Sequence, residues 1–143
     1  MRIRPMTPAD APHVADLATQ LGYPSRPEEI GERLATLLGH PDEHAAFVAD
    51  EHGRAMGWVH VALSASLLSG PKADIGGLVV DQDHRSGGVG GELLAAAEAW
   101  ARERGARTMM VRSRVARERA HRFYEREGYA LVKTSHVFEK PLV

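Results

Sequence analysis

The 143 residues include no cysteine. That excludes disulfides, thiolate metal sites and a cysteine nucleophile together, and it fits a reducing compartment, so the expected location is cytoplasmic. No stretch approaches the roughly 20 apolar residues of a membrane span. Met1-Arg2-Ile3-Arg4-Pro5 has charges but no apolar core behind them, so neither a secretory signal nor a membrane partner is expected. Neither sign of charge dominates: 18 Lys and Arg stand against 19 Asp and Glu, a formal net charge of −1. This balance argues against a protein built to grip nucleic acid through its phosphates. The eight histidines form no H-E-x-x-H pattern, and no metal site is expected. Internal repeats, low-complexity tracts and Pro/Gly/Ser linkers are also missing, and residues 1–143 read as a single domain.

What is present is a regular alternation of elements. Ile3-Arg4 ends a short first strand. Thr7-Pro8-Ala9-Asp10 is a helix start, with a capping threonine, proline at the first helical position and an acid where a capping box needs one. That helix runs to about Gln20 with Val14, Leu17, Ala18 and Leu21 on one face, and Gly22-Tyr23-Pro24 breaks it. Ser25-Arg26-Pro27-Glu28 repeats the cap signature, and Ile30, Leu34, Leu37 and Leu38 supply the stripe of a second helix that Gly39 ends. Three strands follow: Ala45 to Ala49, Met56 to Leu68, and Ala73 to Val80, with turns at Asp50-Glu51-His52-Gly53 and Ser69-Gly70-Pro71. Gly76-Gly77 inside the last of these points to a bulge or a close backbone approach. From Gly88 the period turns helical, with Leu93, Leu94, Ala97, Trp100 and Ala101 on one face and Gly105 as the stop. Thr108 to Arg112 is a fifth strand. Arg117 to Glu127 is a helix with Ala120, Phe123 and Tyr124 inward, closed by Gly128. Tyr129 to Val132 and His136 to Glu139 read as a final hairpin. The order β-α-α-β-β-β-α-β-α-β-β defines an α/β domain with a mixed sheet.

The strongest local signal runs from Leu78 through Val79, Val80 and Asp81 to Arg85-Ser86-Gly87-Gly88-Val89-Gly90-Gly91. A strand ends, a polar turn follows, and a glycine-rich loop opens a helix. Free N–H groups and partial positive charge at a helix N-terminus receive phosphate. Glycines let the backbone come close to the phosphate oxygens, and Arg85 adds a charged donor. The P-loop pattern fails because no Lys-Ser or Lys-Thr follows the second glycine. The dinucleotide pattern G-x-G-x-x-G fails at Leu93, and no acid near Ser113 is placed to take a ribose hydroxyl. The arginine-rich stretch from Arg102 to Arg126 could face a small polyanion or be a solvated helix face with interleaved glutamates.

What fits the loop is R-x-x-G-x-G, read from Arg85 to Gly90. In this it resembles the acetyl-CoA motif of the GNAT superfamily of N-acetyltransferases, where glutamine or arginine opens the loop after a bulged strand. The resemblance implies that Arg85, Ser86, Gly87, Gly88, Val89, Gly90 and Gly91 hold the pyrophosphate and that Leu78, Val79 and Val80 pair with the pantetheine arm. It also implies the GNAT-type fold, a mixed, mostly antiparallel central sheet flanked by about four helices. Ala120-His121-Arg122-Phe123-Tyr124-Glu125-Arg126-Glu127-Gly128-Tyr129 resembles the family's second segment, A-x-x-F/L-Y-x-x-x-G-F/Y. There the tyrosine matching Tyr124 is the acid for the departing thiolate; a phenol can protonate a thiolate whose conjugate acid has a pKa near 8.5. Where the family often has a cofactor-contacting asparagine, this chain has Arg117, which could still reach a phosphate.

The implied reaction is direct attack of a primary amine on the thioester of acetyl-CoA. Many family members place a glutamate on the bulged strand to help the amine lose its proton, and here those positions are Gly76 and Gly77. His60 on the long strand and Asp74 before the glycines are the replacement candidates, with Asp81 a third; His60 has a suitable intrinsic pKa. An N–H at Val79 or Val80 would stabilise the oxyanion. The tail around Thr134-Ser135-His136-Val137-Phe138-Glu139-Lys140 is similar to that of aminoalkylphosphonate N-acetyltransferases. A small-molecule amine is the expected acceptor; a protein N-terminus or lysine, or a non-catalytic acyl-CoA sensor, are the alternatives. The resemblance also implies a homodimer.

Overall fold

The computed structural model describes residues 1–85 and 87–143. It falls into two compact units, Met1–Val111 and Arg112–Val143. The first holds a sheet of five strands: β1 (Arg2–Pro5), β2 (His44–Glu51), β3 (Arg54–Ser66), β4 (Ser69–Val80) and β5 (Thr108–Val111). They lie in sequence order across the sheet. Every pair is antiparallel except β4 and β5, which are joined through α3 (Val89–Glu103) and run parallel. Helices α1 (Ala11–Leu21) and α2 (Pro27–Leu38) complete this unit, and α4 (Glu118–Arg126) belongs to the second. The mixed α/β architecture and mostly antiparallel sheet expected from the sequence are present.

The two faces of the sheet follow from the period of two along β3. Val59 and Val61 are fully buried on one face. Gly57 shares that face, and a Cβ there would lie 3.1 Å from Leu93 of α3. Trp58, His60 and Ala62 point to the other face. There Met6, Val14, Leu34, Ala46, Val48 and Ala55 form a cluster, with Ile30 and Trp58 packed against it. That second face is covered by α1 and α2.

The amino-terminal cap forms as expected: the Thr7 N–H donates to Asp10 Oδ2 at 2.8 Å. The chain passes through one 3₁₀ turn, Pro8–Asp10, before α1 begins. Asp10 is buried and also accepts two hydrogen bonds from the Arg4 guanidinium, at 2.8 and 2.9 Å. Arg4 Nε donates at 2.8 Å to Asp50 on β2. One guanidinium thus ties β1, the helix start and β2 together, and it holds the Asp10 and Asp50 carboxyls below the ordinary carboxylate range.

Three expectations need correction. Ser25 does not cap α2: Arg26 occupies that position, its N–H donates to Glu29 Oε1 at 3.1 Å, and the Ser25 hydroxyl donates to Tyr23 O instead. The β3–β4 turn is Leu67-Leu68, not Ser69-Gly70-Pro71, which lie inside β4. Serines bracket the true turn: Ser66 Oγ and Ser69 Oγ are 3.0 Å apart, and the Leu68 N–H donates to Ser66 Oγ. The final hairpin, Tyr129–Val132 with His136–Glu139, is not formed, and among the described residues no strand follows α4. A strand exists only through a hydrogen-bonded partner. These segments have none among the described residues, and Leu131, Val132, Val137 and Phe138 are all exposed.

Candidate active site

The β3–β4 ladder carries the first part of the site. His60 pairs with Gly77 and Val61 with Ile75, which leaves Gly76 as an extra residue on β4. This is the bulge that adjacent glycines imply. The glycines are there for room. A Cβ on Gly76 would collide with the His60 ring at Nδ1, and one on Gly77 would lie 2.7 Å from Trp58 Cη2. Trp58 and His60 are two residues apart on β3, so both side chains lie on the same face, over the bulge. Gly76 itself is exposed, and its backbone is open to an approaching molecule.

The parallel ladder ends at the same place. β5 pairs from Lys72↔Thr108 to Ile75↔Val111 and no further. The β5-facing edge of Gly76–Val80 therefore has no ladder partner among the described residues. Leu78 to Val80 pair with β3 on one side and lie beyond the last β5 pair on the other. Val79 is buried, while Leu78 and Val80 are half-buried.

After β4, Asp81 caps a 3₁₀ turn at Gln82–His84: its carboxylate accepts from Asp83 N at 3.0 Å, and its own N–H donates to Met56 O at 2.8 Å. Arg85 is exposed and its Nε lies 3.4 Å from Val80 O. Gly88 has φ +79° at the N-cap of α3, a left-handed conformation that favours glycine. Val89 is buried and anchors the first turn, while Gly90 and Gly91 follow and add no side chains of their own. Arg85 and Gly87 to Gly91 thus lie between the end of β4 and the first turn of α3. Ser86 lies outside the described residues.

His60 does not stand alone. Its Nε2 is 3.1 Å from His44 Nδ1 on β2, and the two rings stack at 5.3 Å between centroids and 22° between planes. Burial first, and then the neighbouring His44, push the His60 pKa below its ordinary value. Ala62 pairs with His44 on one side and Asp74 on the other, so His44, His60 and Asp74 sit around Ala62 on one face. The sequence reading placed His60 and Asp74 near the site. It missed His44, and it took Trp58 only as a strand residue. Trp58 Nε1 is buried without a hydrogen-bond partner. Asp81 is buried with Arg54 at 4.0 Å and His84 at 3.9 Å, which makes it part of the turn.

In the second unit, α4 presents Ala120, Phe123 and Tyr124 half-buried, as its spacing predicts. The Tyr124 ring meets Phe123 edge-on at 5.1 Å and Tyr129 at 5.7 Å. The Tyr129 N–H closes the helix end onto Tyr124 O at 2.9 Å, and Gly128 at φ +94° makes that turn possible. Burial raises the Tyr124 pKa, and the Arg117 charge opposes it, so the phenol keeps its proton at neutral pH. His121 Nε2 donates to Arg114 O at 2.8 Å. Arg117 is half-buried at the N-cap of α4.

The glycine packing makes a test. Gly76→Ala forces the His60 ring aside, and overpacking of this kind costs about 1–3 kcal/mol. A lower urea midpoint is expected, together with loss of the His44–His60 contact in histidine NMR spectra.

A bulged strand, an edge released by its parallel neighbour and a glycine-rich loop opening the next helix meet at the end of β4. The family model of the acetyltransferase (GNAT) family matches residues 12–129, and the chain belongs to this family. It is an N-acetyltransferase with acetyl-CoA as acyl donor. Aminoglycoside N(6′)-acetyltransferase type 1 of Stenotrophomonas maltophilia is 32% identical over 145 residues, covering 98% of this chain and 93% of that protein. An aminoglycoside 6′-N-acetyltransferase from Acinetobacter haemolyticus superimposes with a TM-score of 0.86 at 18% identity, over all of both chains. A further aminoglycoside 6′-N-acetyltransferase, solved with the bisubstrate analogue CoA-S-monomethyl-acetylneamine, superimposes at 0.85 with 22% identity, over 98% and 97% of the two chains. None of these three is an aminoalkylphosphonate N-acetyltransferase.

Proposed function

We propose that the chain acetylates a primary amine on a small, polyamine-like sugar of the aminoglycoside type. The observation that carries the acceptor class is the likeness to the Stenotrophomonas enzyme along nearly the whole chain. The same reading gives each site residue a role. Arg85 and the loop from Ser86 to Gly91 hold the pyrophosphate, with Arg117 as a further phosphate ligand, and Leu78 to Val80 pair with the pantetheine arm. His60 takes the ammonium proton in place of the glutamate that Gly76 and Gly77 exclude. Asp74, on the same face, orients the cationic acceptor. The neutral amine attacks the thioester carbon; the C–N bond forms, the C–S bond breaks, the Val79 or Val80 N–H meets the oxyanion, and Tyr124 protonates the thiolate.

The test is thiol release from acetyl-CoA with aminoglycosides such as neamine, polyamines, amino acids, aminoalkylphosphonates and short peptides. Release with neamine above the other amines supports the reading. Release with peptides alone moves the acceptor to a protein amine. No release, with acetyl-CoA still raising the melting temperature, makes the chain a sensor.

A further inference from the structure

The His44–His60 pair has a defined geometry. His44 and His60 are diagonal cross-strand neighbours, since His44 pairs with Ala62 and Ala46 with His60. The His60 Nε2 edge meets His44 Nδ1 at 3.1 Å. The opposite edge, Nδ1, is the one that a Cβ on Gly76 would strike. His60 therefore has one nitrogen on the exposed bulge and the other on a second imidazole. A contact between two neutral rings needs one donor and one acceptor, and His44 is itself half-exposed.

We propose that His44 and His60 form a two-imidazole relay that carries the acceptor's proton from the bulge to solvent. This rests on the assignment of His60 as the base. In the resting state His60 carries its proton on Nε2 and donates it to His44 Nδ1, which leaves the His60 Nδ1 lone pair facing the bulge. The incoming ammonium gives its proton to His60 Nδ1, the Nε2 proton passes to His44 Nδ1, and the His44 Nε2 proton leaves to water. One proton enters and one leaves, so neither ring holds a lasting charge. After product departs, exchange with water restores the starting tautomers. The surroundings favour transfer over charge storage. On this face β2 presents His44, and β4 presents Gly76, Gly77 and, one pair further along, Asp74. β3 adds Trp58 and Ala62, and α1 and α2 supply Val14, Ile30 and Leu34. His44 is a positioning and relay residue; His60 meets the substrate.

Two measurements on the full chain test this. The first is ¹⁵N-histidine NMR without substrate. The relay requires His60 protonated on Nε2, His44 unprotonated on Nδ1, and a coupling across the shared hydrogen bond. A His60 protonated on Nδ1 overturns it. The second is kinetics of His44→Gln with acetyl-CoA and neamine. The glutamine oxygen can accept from His60 Nε2 and hold its tautomer, but it cannot pass a proton on. About a tenfold fall in kcat is expected, part of the ~10²-fold typical of proton-transfer groups, with KM for acetyl-CoA unchanged and folding intact. Parental kcat and pH profile in His44→Gln, beside a slow His60→Gln, would leave His60 as the base and abolish the relay. Parental rates in both variants would sink the base assignment itself.

Discussion

A Tyr124→Phe enzyme is expected to bind acetyl-CoA as the parent does and to turn over about 10²-fold more slowly, the low end of the range for a lost general acid. The phenylalanine keeps the ring and its edge contacts with Phe123 and Tyr129, so α4 should remain folded. What is removed is a proton held on oxygen. Because burial raises the Tyr124 pKa above its ordinary value near 10, the phenol is in its acid form throughout the neutral range. The defect should therefore be flat across neutral pH. Titration calorimetry with coenzyme A and steady-state thiol release read the two halves; an unchanged kcat would remove Tyr124 from the chemistry.

His60→Gln is expected to have the opposite pH signature. The folded His60 pKa lies below the ordinary value near 6.5, so the imidazole is neutral and able to accept a proton at pH 7. The parent rate should fall only as pH drops through that lowered pKa. The same shift acts on stability. The unfolded chain binds the proton more readily, so the contribution of the neutral ring is present above the unfolded value and is lost as pH falls below it. In His60→Gln the acidic limb of kcat should vanish and the neutral-pH rate should drop about 10²-fold. A profile that keeps the parental acidic limb would assign it to another group.

Much of this site can be read directly from the residues. Gly76-Gly77 inside a strand means a bulge, Gly88 before an apolar helix means a left-handed cap, and Thr7-Pro8-Ala9-Asp10 means a helix start. Each of these is a local rule, and local rules survive folding. The partnership of His44 with His60 could not be read in this way. Counting back from the Glu51↔Arg54 turn places His44 opposite Val61, on the other face from His60. The register shift between Ala49 and Asp50 moves His44 opposite Ala62 and brings the two rings together. A one-residue irregularity five residues from His44 decides which side chains meet, and nothing in Ala49-Asp50 announces it. The Leu67-Leu68 turn escaped for a related reason: its stabilising groups are the flanking serines, while its own residues read as strand. The terminal strands failed because pairing is not a property of the segment that pairs.

The packing of His60 into the space over Gly76 also bears on how such a site can change through descent. A carboxylate on the bulge and an imidazole above it compete for one volume. A lineage holding His60 cannot acquire the glutamate by one codon change without crowding the ring, and a lineage holding the glutamate cannot acquire His60. Passage between the two states by single changes runs through an intermediate with a small residue at both positions, which lacks both the imidazole and the carboxylate. Positions 60 and 76 should therefore vary together, as one heritable unit.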